Sequence, residues 1–341
     1  MKTYIHAIVL TWLITFWTSF ALADYKMIIP QKPGGGTSQW ASIIAKHLEP
    51  HLGEKIKLVH IPGARDIPGF NKFHNELRFD DKTIMVSHGG NGVSYLTESV
   101  DYNYKEYDPI GGMNLTIIIG EKNLEDKMYF AGGSGNIPDV MALTLFMCGN
   151  LNSFDAYEKC YKENITFVKG MSGSERRLAF NNGELNITRE NPAAYKKHAK
   201  AANLLFTHGV FDLDTGQVVD DRNHPNLSFN KVFTAKWGEA PKGAFYEAYL
   251  LVKNYRDVLQ KALWMNKDNP NTVKVTLALL DMLEDNEAMA AIDKAVGNYD
   301  WFIAHELLEA VDYLEKKRNP LAKDYLIKWQ RDVLGYQAVD K

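Results

Sequence analysis

This sequence predicts an α/β fold of two lobes, on three observations. Apolar runs give way to glycine-rich loops and then to helical spacing three times, near residues 27–48, 128–146 and 165–177. Such alternation builds a parallel sheet flanked by helices, with ligands bound beyond the carboxyl ends of the strands. The chain has 341 residues, more than one compact core usually holds, so two lobes are expected. With 45% hydrophobic residues, 24% charged residues and a net charge of −3, there is ample material for a core. The weakly acidic balance argues against a nucleic-acid partner, since phosphate contacts need a basic surface.

The first unit is the most informative. The apolar run at residues 27–29 meets Pro33, Gly34, Gly35, Gly36, Thr37 and Ser38, and helical spacing begins at Trp40, Ile43, Ile44, His47 and Leu48. Glycines let the backbone approach a ligand, and the first amides of a helix have no intrahelical partner. Such a terminus attracts anions. No Lys-Ser or Lys-Thr follows the last glycine, so the loop is not a nucleotide P-loop and suits a carboxylate better than a triphosphate.

Strands are then expected at residues 55–60 and 83–87, with a turn at 61–64 and a polar helix near 69–77. The segment from His88 and Gly89 to Gly92 reads as a loop leaving a strand at its carboxyl end, where it could line a cleft. Residues 116–120 form a β-branched run. The second unit is a strand at 128–130, a loop through Gly133, Ser134, Gly135 and Asn136, and a helix opened by Pro138. The third joins 165–168 through Gly170 to a helix from Glu175. Arg176 and Arg177 are expected to be solvated or paired with Glu175 and Glu184. Arg189 follows the strand 185–188, where it could reach a ligand carboxylate or form an interlobe ion pair. Residues 212–225 read as an exposed loop or hairpin, residues 244–264, 272–296 and 300–317 as helices, and Asn319-Pro320 as the start of a last helix. Trp237, Trp301 and Phe302 are expected in the core.

Lys2, the apolar stretch 5–20 and Ala21-Leu22-Ala23 have the form of an export signal cleaved after Ala23, the alternative being an uncleaved membrane anchor. Cys148 and Cys160 suit a short disulfide loop in an oxidising compartment, or else two buried thiols. No metal site is expected from them. In His305-Glu306-Leu307-Leu308-Glu309 the second histidine of a zinc helix is missing.

Several stretches in order resemble the periplasmic substrate-binding proteins of tripartite tricarboxylate transporters, the Bug or TctC family. They are Ile29-Pro30 with Pro33-Gly34-Gly35-Gly36-Thr37, then Ile61-Pro62-Gly63-Ala64, then Tyr107-Asp108-Pro109-Ile110-Gly111. Gly133-Ser134-Gly135-Asn136-Ile137-Pro138 follows, and last Val168-Lys169-Gly170 with Gly183-Glu184-Leu185-Asn186. The likeness runs from about residue 25 to 188. Against the family pattern, Ser38 stands for Asp, Asn136 for Ser and Asp139 for His, and His60 replaces the usual asparagine region.

The resemblance implies a two-lobe periplasmic binding protein of type II-like form, each lobe a mainly parallel sheet flanked by helices, with a helical C-terminal portion. Lobe 1 is expected at 24–125, joined by helices at about 265–341, and lobe 2 at 126–264. A ligand carboxylate would lie against both glycine loops, with Asp139 in the same region. The implied protein is a monomer without cofactor or catalytic residues, serving the membrane subunits of a secondary transporter from the periplasm. A sensory subunit would share every site feature. The rival is a secreted α/β-hydrolase, with His88-Gly89-Gly90-Asn91 as oxyanion loop and Ser172 in Gly170-Met171-Ser172-Gly173-Ser174 as nucleophile.

Overall fold

The computed structural model describes residues 24–97, 100–124, 127–199, 201–316 and 319–338. The expected export signal therefore lies outside the described residues. Six strands form the sheet of the first lobe, in the spatial order Trp301–Ile303, Tyr107–Met113, Lys261–Asn266, Thr83–Val86, Tyr25–Ile29 and Ile56–His60. The three early strands pair in parallel, as strand–helix alternation requires. Strands returning from later in the chain add antiparallel pairs. Helix Gly36–Leu52 covers one face: Trp40, Ala41, Ile44 and Leu48, at helical spacing, share a core with Met27, Ile29 and Ile84.

In the second lobe, Met128–Gly132 pairs in parallel with Ile165–Lys169. Ile118–Glu121 is flanked by Ile187–Glu190 and Asn203–Thr207, both antiparallel. Helix Ile137–Cys148 is apolar nearly all round and buries every residue but Met147, which places it centrally. Helix Ala244–Val258 is buried along its second half and joins cores from both lobes through Tyr249, Val252 and Tyr255.

Several expectations need correction. Sheet membership puts the lobe crossings between Met113 and Ile118 and between Val258 and Lys261, so boundaries at 125 and 264 shift: Ile118–Glu121 belongs with the second lobe and Lys261–Asn266 with the first. The helix expected over 244–264 stops at Val258, and Lys261–Asn266 is a wholly buried strand. Its apolar run has no period that separates a buried strand from a buried helix. Gly112 admits this strand against Tyr107–Met113, since a side chain there would press on Ala262. The pattern 272–296 divides at Asp285, whose carboxylate caps the amides of Glu287 and Ala288. Trp301–Ile303 is a strand ahead of helix His305–Lys316, and the loop expected from His88 to Gly92 is helical from Gly89 onward, in the helix Gly89–Thr97. The excursion at 212–225 includes the turn of a hairpin between Val210–Phe211 and Val218–Val219. Trp301 stacks on Trp40 as core, whereas Trp237 is 40% exposed and donates to the Phe146 carbonyl.

Cys148 and Cys160 form a disulfide with Cα atoms 6.2 Å apart, tying helix Ile137–Cys148 to helix Phe154–Asn164. Closing a loop of this length restricts the unfolded chain by about 3 kcal/mol. Replacing both cysteines with alanine is expected to lower stability by roughly that amount in a urea titration, and reductant should no longer shift the midpoint. No helix among the described residues is long and apolar enough to cross a membrane.

Candidate functional site

The first glycine loop follows strand Tyr25–Ile29. Gly34 has φ +83, a left-handed conformation that favours glycine. Gly35 is the N-cap of helix Gly36–Leu52, with no side chain capping it. The first intrahelical bond runs from the Gln39 amide to the Gly35 carbonyl, which leaves the amides of Gly36, Thr37 and Ser38 without an acceptor among the described residues. Pro33 and the three glycines are exposed at the rim, while Thr37 and Ser38 are buried.

Lys261 completes this corner. Only 3% of it is exposed, and its Nζ lies 2.8 Å from Thr37 Oγ1. Among the described residues no carboxylate comes within ion-pair distance of it. Burial, with help from the Arg189 charge, pushes its ammonium down to about 7, against the opposing pull of Asp66. A buried cation beside uncapped helix amides favours an anion twice over.

Asp66, His88 and Gln31 lie nearby, beyond the carboxyl ends of the strands. His88 Nδ1 is 2.8 Å from Asp66 Oδ2, and Gln31 Nε2 reaches both, at 3.2 Å and 3.3 Å. Burial lowers the His88 pKa although Asp66 opposes it. Arg65 and Asp66 adopt φ of 55 and 62, held there by Asn91, whose Nδ2 donates to the Asp66 carbonyl at 2.6 Å. The glycines of this segment have another purpose. A side chain at Gly89 would collide with Gln260 and Arg256, and one at Gly92 would meet the Tyr255 carbonyl at 2.7 Å. They let helix Gly89–Thr97 lie against helix Ala244–Val258, so Gly89 has a packing reason to lack a side chain.

The second loop is closed on itself. Asn136 Oδ1 accepts from the Gly133 amide at 3.1 Å, while its Nδ2 donates to Asp139 Oδ2 at 2.8 Å. The amides of Ser134 and Gly135 have no acceptor among the described residues, and a side chain on Gly135 would lie 3.5 Å from Gly90, so the lobes meet here. Asp139 is fully buried. Arg256 from helix Ala244–Val258, Arg189 at 3.2 Å and His208 at 2.9 Å surround its carboxylate. The Arg256 and Arg189 charges, with the His208 hydrogen bond, hold it far below the usual carboxylate range despite burial. Asp139 is therefore engaged by protein groups on both carboxylate oxygens. Arg189 pairs with Asp139 inside the second lobe, not across the cleft. Arg177 binds Glu190 at 2.6 Å and Arg176 lies 3.7 Å from the same carboxylate, so neither pairs with Glu175 or Glu184. The strand Ile187–Glu190 brings Glu190 beside them. Gly170 is exposed at φ +91, its amide bound to the Gly132 carbonyl at 2.9 Å.

Ser172 is an exposed helix cap. Its hydroxyl accepts from the Glu175 amide at 3.3 Å, and the Glu175 side chain returns to the Ser172 amide at 2.6 Å. That is a capping box. Ser172→Ala is expected to lower stability by about 1 kcal/mol and to leave ligand affinity unchanged, as melting and calorimetry would read. Among the described residues no His, Cys, Asp and Glu group could hold a metal ion.

No family model matches this sequence, and no curated protein matches it. Solved structures do. Periplasmic binding protein BugD superposes with a TM-score of 0.58 at 14% identity, covering 91% of this chain and 98% of that one. MatC from Rhodopseudomonas palustris, solved with bound malate, gives 0.59 at 12% identity, covering 89% and 98%. The fold is that of a two-lobed periplasmic binding protein. A TctC solute-binding protein from Polaromonas, solved without ligand, shares it at a TM-score of 0.54 and 12% identity, with 89% and 98% covered. Thr37, Asp66, His88, Gly135 and Lys261 gather where the two lobes meet. Of these, Asp66 and Lys261 escaped the sequence reading, as did Gln31, His208 and Arg256. A lone lysine opening the apolar run at 261–265 was the one available signal.

Proposed function

We propose that this chain is an extracytoplasmic solute receptor of the tripartite tricarboxylate type, which captures a small organic carboxylate between its lobes. The carrying observation is Lys261, a buried cation with no carboxylate partner among the described residues, set against the uncapped amides of Gly36, Thr37 and Ser38. A carboxylate entering this corner replaces its lost water with charge-assisted hydrogen bonds of about 1.5–3 kcal/mol each. Four such bonds, less the cost of association, are compatible with roughly micromolar affinity. Ser134 and Gly135 close on the ligand from the second lobe, and Arg189 is near enough electrostatically to Lys261 to add to the positive field.

The malate bound to MatC supports a dicarboxylate as the first ligand to try. The receptor binds without transforming its ligand and passes it to the membrane subunits of a secondary transporter. It works as a monomer in the periplasm, after cleavage of its leader following Ala23. Thermal-shift measurements against mono-, di- and tricarboxylates test the reading. At least one acid is expected to raise the melting temperature in proportion to its concentration, and no response to any of them would contradict it.

A further inference from the structure

We propose that Asp139 is a positioning residue that sets the second glycine loop for its ligand, and that Arg256 ties this setting to the helix between the lobes. The inference rests on the carboxylate-receptor reading above. Asn136 is the switch element, because its side-chain amide has a donor end and an acceptor end. Asp139, an acceptor only, fixes the donor end at 2.8 Å. The acceptor end then faces the Gly133 amide at 3.1 Å. Were the side chain flipped, its NH2 would confront the Gly133 N–H and an oxygen would confront the carboxylate, two repulsions in a buried site.

The space for Asn136 is reserved. A side chain on Gly132 would collide with it. With the Gly133 amide satisfied internally, Ser134 and Gly135 present the loop's donors that have no acceptor among the described residues. Asp139 itself is held by Arg256, Arg189 and His208, and the Tyr249 hydroxyl bonds His208 Nδ1 at 2.8 Å. Arg256 also packs its stem on Gly89, and its Nε bonds Asp257 at 2.7 Å. One side chain thus touches the first-lobe segment at 88–92 and the hub of the second-lobe loop. The loop's geometry depends on both lobes resting on helix Ala244–Val258.

The test compares wild type with Asp139→Asn, Asn136→Ala and the double variant. Amide hydrogen exchange at Gly133 is read without ligand, and malate affinity by calorimetry. Exchange at Gly133 is expected to rise about tenfold in each variant, the loss of one hydrogen bond. Malate affinity is expected to fall by a similar factor, with the double variant no worse than either single one. Asn136→Ala removes no charge and keeps the test open if Asp139→Asn does not fold. Unchanged exchange at Gly133, or faster exchange with unchanged affinity, overturns the proposal. If wild type binds no carboxylate at all, the receptor reading falls, and exchange at Gly133 still decides whether Asp139 positions the loop.

Discussion

Replacing Lys261 with methionine is expected to weaken carboxylate binding about a hundredfold while leaving the fold intact. The loss corresponds to one buried charge-assisted contact of roughly 2–3 kcal/mol. Methionine fills similar volume without a charge, and removing an uncompensated buried cation relieves desolvation. Folding should therefore be unaffected or slightly improved. The pH dependence has a definite sign. In the unliganded protein the ammonium titrates near 7, against 10.5 for an ordinary lysine, because burial disfavours the charged form. A carboxylate binds the protonated form, so affinity is full below pH 7 and declines by up to about tenfold per pH unit above it. Folding runs the other way across pH 7 to 10.5. There the unfolded chain holds a proton the folded chain has released, so this group makes unliganded stability rise with pH. Calorimetric titrations from pH 6 to 9 check both points. A flat profile in wild type, or equal affinity in Lys261→Met, would remove Lys261 from the site.

Asp139→Ala is expected to lower stability by about 3–5 kcal/mol, among the largest effects of any single substitution. The carboxylate lies between two guanidinium groups and a histidine, with Arg256 and His208 fully buried and Arg189 partly so. Deleting it leaves Arg256 with Asp257 alone and Arg189 with no near acid in the pair it formed. Asp139 itself stays ionised far below the usual range, so its contribution is full above the ordinary carboxylate pKa of 3.8 and is lost progressively as pH falls below that value. His208 behaves differently. Burial and the Arg256 charge push it down to about 4 from 6.5. Between those values the unfolded chain takes a proton that the folded chain refuses, so stability falls as pH drops, by about 1.4 kcal/mol per unit. Urea titrations at pH 7, 5.5 and 4.5 read the His208 slope, and the pH 7 point gives the Asp139→Ala loss. His208→Gln should flatten that slope.

The strand–glycine–helix units were legible because their chemistry is local. Gly34 and Gly35 announce a turn, and Trp40, Ile44 and Leu48 announce the buried face of the helix that follows. The two-lobe class followed from the same alternation. What stayed hidden depended on neighbours distant in sequence. Gly89 and Gly92 carry the same signal as a ligand loop, yet they exist for Arg256 and Tyr255, more than 160 positions on. The run at 261–266 has no period, so strand and helix could not be separated until the sheet placed it between Thr83–Val86 and Tyr107–Met113. Arg177 has acids close in sequence, but Glu190 reaches it because two elements cross. Lys261 read as the edge of an apolar segment, and only the fold carries it to Thr37.

The most direct test of the anion corner is the set of backbone amide resonances of Gly36, Thr37 and Ser38, followed by NMR as malate and other carboxylates are added. Hydrogen bonding to a bound carboxylate should move these three amide protons downfield together, with saturation at the calorimetric affinity, and in Lys261→Met only at about hundredfold higher ligand. Binding that leaves all three unmoved, while amides elsewhere shift, would contradict the account.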